Sequence, residues 1–370
     1  MSDVRPRRAV LRALAASAVL PLLLTACGYG SQRVDDTTSP AAAQGPRTDG
    51  LDEVRIGFFA NVTHATALVG LSRDGLVQKE LGGTAVKPQV FNAGPAAIEA
   101  LNADAVDMTW IGPSPAINGF TRAGGRNLRI VSGATSGGAS LVVDPDRISS
   151  VDDLKGKRIA TPQIGNTQDV ALLNYLADKG LKVDADTGRG DVSVVRQDNK
   201  EIPTTFQQGG LDGAWVPEPT ASNIVAKGGK VLLDEKELWD GGKFVTTHLV
   251  VSQKFLAAHP KVVEAVLRGT VGTNTWIKDN PDEAKKVLNA QLEQYGGQPL
   301  PEKVLDPAFA AIEVTDDPLA STLRAQAEHS VASGLLKEAR TDGIYDLSLL
   351  NKVLKAEGRD PVDDAGLGAE

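Results

Sequence analysis

The sequence predicts an α/β protein of two lobes, each a mainly parallel sheet flanked by helices, facing one another across a shared cleft. Three observations predict it: an internal repeat, an alternation of strand and helix signals within each copy, and a late apolar run that returns the chain to the first lobe. Val54-Arg55-Ile56 recurs as Lys157-Arg158-Ile159, and Thr63-His64-Ala65-Thr66-Ala67-Leu68 recurs as Thr167-Gln168-Asp169-Val170-Ala171-Leu172. Asp74-Gly75-Leu76 matches Lys179-Gly180-Leu181, and Val106-Asp107-Met108-Thr109-Trp110-Ile111-Gly112-Pro113 matches Leu211-Asp212-Gly213-Ala214-Trp215-Val216-Pro217. The matches keep their order at separations of about 103–105 residues, which four unrelated coincidences would not do.

In the first copy, residues 54–59, 86–91 and 106–111 are short apolar runs that predict strands, while residues 66–80 and 95–103 have helical periodicity. Asn92 or Gly94 ahead of Pro95 suits an N-cap followed by proline in the first helical turn. Residues 244–251 predict a buried strand. Helices follow over 260–278, after Asn280-Pro281-Asp282-Glu283, after Asp317-Pro318, and after Asp346. The expected division is residues 51–140 and 246–358 for lobe 1, 141–245 for lobe 2, and 359–370 as a flexible tail. The chain then crosses between lobes near Leu141 and near Thr246, which makes a hinge. Ligands on such sheets sit at the carboxyl ends of the strands, so both lobes aim their strand ends at the cleft.

The N-terminus reads as an export signal. Arg5, Arg7, Arg8 and Arg12 precede an apolar run over residues 13–26, shorter than the ~20 residues of a spanning helix. It ends in Leu24-Thr25-Ala26-Cys27, a lipobox pattern in which the Cys27 sulfur takes a diacylglycerol before cleavage. Residues 1–27 are thus expected to be a lipoprotein signal peptide, and the protein to be extracytoplasmic and lipid-anchored to the cell membrane. Arg7-Arg8-Ala9-Val10-Leu11-Arg12 also resembles a twin-arginine signal, without the usual Ser or Thr ahead of the arginines. Residues 28–50 hold almost no large apolar side chain and are expected to be a flexible tether with a reach of roughly 25–30 Å.

Composition excludes several classes. With 41% hydrophobic and 23% charged residues, the body is an ordinary globular one. A net charge of −8, with four arginines in the signal segment, argues against nucleic acid as a partner. Cys27 is the single cysteine, so no intrachain disulfide forms. The chain has no Gly-x-Ser-x-Gly, no His-Glu-x-x-His and no phosphate loop, and Gly70 and Gly75 do not make a dinucleotide fingerprint. Neither an enzyme, nor a metal site, nor a cofactor is expected.

Six stretches carry a family resemblance: Ala60-Asn61-Val62-Thr63-His64-Ala65; Phe91-Asn92-Ala93-Gly94-Pro95; Trp110-Ile111-Gly112-Pro113-Ser114-Pro115-Ala116; residues 133–140; residues 160–171; and Asp212-Gly213-Ala214-Trp215-Val216-Pro217-Glu218-Pro219. In this order they resemble the aliphatic-sulfonate, taurine and nitrate group of ABC-transporter substrate-binding proteins. The resemblance implies a type II periplasmic-binding-protein fold, hinge closure on a small anion, and a permease with its ATPase as partners of a monomer. It leaves taurine, nitrate or a thiamine-precursor pyrimidine as alternative ligands to an aliphatic sulfonate, and a sensor subunit as an alternative to an importer component.

A sulfonate is fully ionised and carries three acceptor oxygens, so it calls for oriented N–H and O–H donors. Two repeated helix starts supply them: Asn61 to His64 in lobe 1, and Gly165-Asn166-Thr167-Gln168 in lobe 2, with Gln163 in the same loop. Thr63, Asn166 and Thr167 offer side-chain donors, or serve as plain caps. His64 can donate to an anion or pack beside the cleft, whereas His248 in the return strand reads as structural. Trp110 and Trp215 end equivalent strands, where each can wall the pocket or belong to the core. Gly112 and Ser114 put another helix start at the cleft, and Gly138 precedes the first crossing with backbone N–H groups to offer. Glu218 is awkward beside an anion, and fits a ligand amine or a partner side chain.

Overall fold

The computed structural model describes residues 31–33, 45–72 and 74–369, so the expected signal peptide and Cys27 lie outside the described residues. The first half runs β1 (Ser31–Arg33), β2 (Glu53–Phe59), α1 (Ala65–Gly70), α2 (Leu76–Leu81), β3 (Ala85–Phe91), α3 (Gly94–Asn102), β4 (Met108–Ile111), α4 (Pro113–Arg122) and β5 (Leu128–Gly137). The chain then enters a second sheet with β6 (Ala139–Val143), β7 (Arg158–Thr161), α5 (Thr167–Asp178), β8 (Ser193–Arg196), α6 (Ile202–Gln207), β9 (Gly213–Pro217), α7 (Thr220–Val225) and β10 (Lys230–Asp234). It returns through β11 (Val245–Ser252), α8 (Gln253–Ala258), α9 (Pro260–Asp279), α10 (Pro281–Gly296), α11 (Glu302–Ala310), β12 (Ile312–Val314), α12 (Ala320–Ala332) and α13 (Ser348–Ala356).

The larger sheet has the order β1-β3-β2-β4-β11-β5-β12, and the smaller one β10-β6-β9-β7-β8. Removing β1 and β12 from the first leaves the same arrangement twice. In each, a parallel trio (β3-β2-β4 or β8-β7-β9) is followed by one antiparallel strand that has just arrived from the other sheet, β11 or β6. One side-chain contact is also duplicated. Asp107 Oδ2 accepts from the backbone N–H of Arg55 at 2.8 Å, and Asp212 Oδ2 accepts from that of Arg158 at 2.8 Å. Each aspartate, ion-paired with the same arginine, fixes the register of β2 against β4 or of β7 against β9.

The elements follow from their residues. Every residue of β11 is buried, as an eight-residue run of β-branched and apolar side chains between two other strands requires. Helix α9 starts at Pro260 and buries Val262, Val263, Val266 and Leu267 on one face against the larger sheet's core. The single helix expected over residues 66–80 is two, α1 and α2. A Cβ on Gly75, the N-cap of α2, would lie 2.2 Å from the Gly70 carbonyl oxygen, so the chain turns sharply there. Helix α11 and strand β12, between the helices expected after Asn280 and Asp317, have no counterpart in the sequence reading.

Three boundaries differ from expectation. The chain leaves the larger sheet between Gly137 and Ala139, both glycines Gly137 and Gly138 having positive φ, and returns between Asp234 and Val245. Part of the expected tether is structured: Ser31–Arg33 pairs along β3, and the Thr48 N–H donates to Thr84 Oγ1 at 2.9 Å. The expected tail packs as well. Leu367 is fully buried, the Ala369 N–H donates to the Tyr345 carbonyl at 2.8 Å, and Arg359 reaches the buried carboxylate of Asp316 at 2.5 Å. One leucine and one arginine of this segment have dedicated sites.

Asp316 is 98% buried at its side chain and also accepts from Asn274 Nδ2 at 2.7 Å. Replacing Arg359 with Ala leaves that carboxylate without its cation and should cost about 1–3 kcal/mol. Deleting residues 359–370 should cost more, because Leu367 goes too. Urea unfolding curves read both, and unchanged midpoints would contradict the packed C-terminus.

Candidate functional site

The carboxyl ends of the parallel strands converge from both sheets on one narrow, partly open cleft. From the larger sheet, β2 ends at Phe59, after which a short 3₁₀ turn over Val62–His64 follows Asn61; β3 leads to Asn92 and β4 to Gly112. From the smaller sheet come Asn166, Thr167 and Gln168 at the start of α5, Asn199 beyond β8, and Pro217 at the end of β9. Thr246 and Thr247, from the returning strand β11, complete the lining. Among the described residues, none of those lining the cleft is charged.

The α5 terminus is held rigidly. Asp169, fully buried in the first turn, accepts from Thr161 Oγ1 at 2.7 Å and from the Gly165 N–H at 3.0 Å, and Arg196 Nε meets it at 2.9 Å. The guanidinium neutralises the carboxylate, so the field of the helix terminus stays positive toward the cleft. Gly165 has φ of +73°, which lets the loop turn into the helix. The first-turn N–H groups of a helix have no intrahelical acceptor, and Thr167 and Gln168 stand at that turn with their residues lining the cleft. The Thr167 hydroxyl is itself buried and unpaired, and so is Asn199 Oδ1.

His64 completes the donor set. Its Nδ1 accepts from the Phe59 N–H at 3.4 Å, and the two rings lie 4.4 Å apart. Burial pushes its pKa down to about 3, so the ring is neutral and carries its proton on Nε2, a donor. Across the cleft the lobes touch. The Gly94 N–H donates to Asn166 Oδ1 at 3.3 Å, and a Cβ built on Gly112 would lie 2.3 Å from Thr167 Oγ1.

Six of the residues singled out from the sequence line this cleft: Asn61, Thr63, His64, Gly112, Asn166 and Thr167. The others stand elsewhere. Trp110 and Trp215 are fully buried core side chains, and Trp215 Nε1 donates to Glu235 at 2.8 Å, because their strand positions face the helices rather than the cleft. Ser114 is buried in the first turn of α4, and Gln163 uses its carbonyl to accept from the Asn166 N–H. Gly138 serves the crossing, where a Cβ would lie 2.5 Å from Ile312 Cγ2, and its carbonyl accepts from the Glu218 N–H. Glu218 turns away to accept from the backbone N–H and hydroxyl of Ser222 at 3.1 and 2.9 Å. His248 is buried, as expected for a structural residue. Gln168, the last residue of the helix start expected to supply donors in lobe 2, also lines the cleft, whereas Asn92, Asn199, Thr246 and Thr247 were not anticipated as lining residues.

The NMT1-like family profile matches residues 48–292, the span that contributes both halves of the cleft. The chain belongs to the NMT1-like family. It is 31% identical to the taurine-binding periplasmic protein of Escherichia coli over 56% of its own length, spanning 62% of that relative. The fold matches the alkanesulfonate-binding protein SsuA of Xanthomonas axonopodis bound to MOPS, with a TM-score of 0.63 and 22% identity over 84% of this chain and 99% of that one. It also matches the nitrate-binding protein NrtA of Synechocystis, with a TM-score of 0.67 and 14% identity over 83% and 89% of the respective chains. This NMT1-like chain therefore has the two-lobed periplasmic-binding-protein fold, and its relatives are binding proteins rather than enzymes.

Replacing Gly112 with Ala should hold the lobes apart at Thr167 and weaken ligand binding at least tenfold, with little change in the melting point of the free protein. Calorimetric titration beside a melting curve separates the two effects.

The buried titratable groups set the pH profile of stability. Burial pushes His64 and His248 down to about 3, and pushes Glu218 and Glu235 up to about 7. Below the ordinary 6.5 each histidine charges only when unfolded, so stability falls with acid by about 1.4 kcal/mol per pH unit for each. Above the ordinary 4.5 each glutamate ionises only when unfolded, so stability falls equally as pH rises toward 7. The two effects oppose each other between about pH 4.5 and 6.5, and below that the histidines act alone. Urea midpoints should stay level from pH 5 to 6.5 and drop steeply below 4.5.

Proposed function

We propose that this protein is the extracytoplasmic ligand-binding component of an ABC importer, anchored by lipid at Cys27, and that it captures an aliphatic sulfonate between its lobes. The observation that carries the ligand class is the unpaired, buried Thr167 hydroxyl standing at the N-terminus of α5 inside the cleft. An oxyanion placed there receives that hydroxyl and the free first-turn N–H groups, with His64 Nε2 as a further donor from the opposite lobe. Both lobes reach the guest only when they are together, so binding favours the closed arrangement. The closed lobe faces are the surface a permease would read, and the ATPase would act through the permease. No bond is made or broken.

The names of the relatives support the same class: one binds taurine, one was solved with a sulfonate buffer, and one binds nitrate. The absence of charged side chains among the described lining residues also suits an uncharged pyrimidine ring, which is the second reading.

A thermal-shift screen of the full-length protein distinguishes the two. Ethanesulfonate, taurine, nitrate and a thiamine-precursor pyrimidine are compared at matched concentration. A ligand at a hundred times its Kd should add about 2.7 kcal/mol of stability. A shift with sulfonates is expected; a shift with the pyrimidine alone would overturn the sulfonate assignment and keep the transport class.

A further inference from the structure

The donors in the cleft are concentrated at Thr167, the α5 terminus and His64, but Asn199 presents something different. It follows β8 in the turn before α6, is about 91% buried, and lines the same cleft. Its Oδ1 is buried without a partner. A polar atom in that state costs stability unless a guest meets it. No described residue lining the cleft supplies a countercharge for a cationic guest. Three carboxylates adjoin lining residues in sequence, and each is engaged: Asp169 with Arg196, Glu218 with Ser222, and Asp198 with the Lys200 N–H at 2.9 Å.

We propose that Asn199 forms a second subsite for an uncharged hydroxyl on the ligand tail, so that the cleft selects a hydroxyalkanesulfonate over an aminoalkanesulfonate or a plain alkanesulfonate. The inference rests on the sulfonate reading above and adds the chemistry of the tail. A hydroxyl both donates and accepts, so it satisfies the Asn199 amide in either orientation. An ammonium only donates, and it brings a charge into a cleft with no carboxylate among its described lining residues. A methyl group in the same place leaves the amide oxygen unmet. The cleft then combines donors for the oxyanion with an amide for the tail.

Three ligands of nearly equal size test it: 2-hydroxyethanesulfonate, taurine and 1-propanesulfonate, titrated calorimetrically into the full-length protein. The hydroxyl compound should bind roughly tenfold or more tightly than each of the others, the range expected when a buried polar atom gains or loses its partner. Asn199→Leu should bring the ratio of hydroxyl to methyl ligand down to about one. Asn199→Asp, nearly isosteric, should turn the preference toward taurine by supplying the missing carboxylate. If wild-type protein binds taurine as tightly as the hydroxyl compound, or fails to separate hydroxyl from methyl, the Asn199 subsite is wrong while the sulfonate reading stands. If it binds none of the three, the sulfonate reading falls and takes this inference with it. The wild-type comparison decides the matter even if Asn199→Leu does not fold.

Discussion

At the mouth of the cleft, Gly112 meets Thr167 with no room for a single extra carbon, and the two lobes can come together only because that carbon is missing. Gly94 repeats the arrangement a short way off: a Cβ there would lie 2.1 Å from Pro115 Cγ and 3.3 Å from Asn166 Oδ1. Both glycines follow strands of the larger sheet, and both face the start of α5 on the smaller one. The glycine backbone of the larger lobe therefore lies against the Asn166 and Thr167 side chains at the start of α5. The Thr167 hydroxyl gains no protein partner from that approach. An empty closed cleft thus carries an unmet polar group, and a guest that meets it stabilises the closed form over the open one.

The duplicated Arg–Asp contact explains why two such faces oppose each other. Asp107 with Arg55, and Asp212 with Arg158, lock β2 against β4 and β7 against β9 in the same register. That register decides which residue stands at the carboxyl end of each strand, and so which loop reaches the cleft. Each sheet then takes its next strand from the chain as it arrives from the other sheet: β6 just after Gly138, β11 after the segment containing Trp239. Trp239 stacks on Phe244 at 5.6 Å and packs against His329 of α12, so the second crossing is tied to the helices of the returning half. The crossings are therefore covalent links between two cores rather than loose linkers.

Much of this was legible in the sequence, because the repeat records the Arg–Asp pairs and the strand-end motifs directly. Residues near a helix start, such as Thr63, Asn166 and Thr167, were readable because first-turn chemistry depends on local sequence. Trp110 and Trp215 were not, since position at a strand end says nothing about which face of the sheet a side chain takes. Glu218 was misplaced for a similar reason: its partner, Ser222, lies one helical turn on and draws the carboxylate away from the cleft. Asn199 was invisible because the repeat has no match near β8, so no pattern pointed to that loop. The C-terminal segment, expected to be a flexible tail, is held by two residues, Arg359 and Leu367, whose partners are distant in sequence.

A cleft without charged lining side chains can still hold an anion, and the manner of holding bears on what it accepts. A lysine or arginine would attract any anion at the site. Helix N–H groups and the Nε2–H of a neutral His64 can only donate, and only along fixed directions. Those groups make a shell satisfied by an oxyanion whose oxygens are free of protons, whereas the Thr167 hydroxyl, which can also accept, meets either kind. A sulfonate keeps three bare oxygens across the whole range in which the protein is folded, whereas a phosphate group near neutral pH carries a proton part of the time. Because burial keeps His64 neutral down to about pH 3, the shell does not change its character over that range either. On the sulfonate reading proposed above, selection comes from the count and direction of donors, with the tail met at the proposed Asn199 subsite.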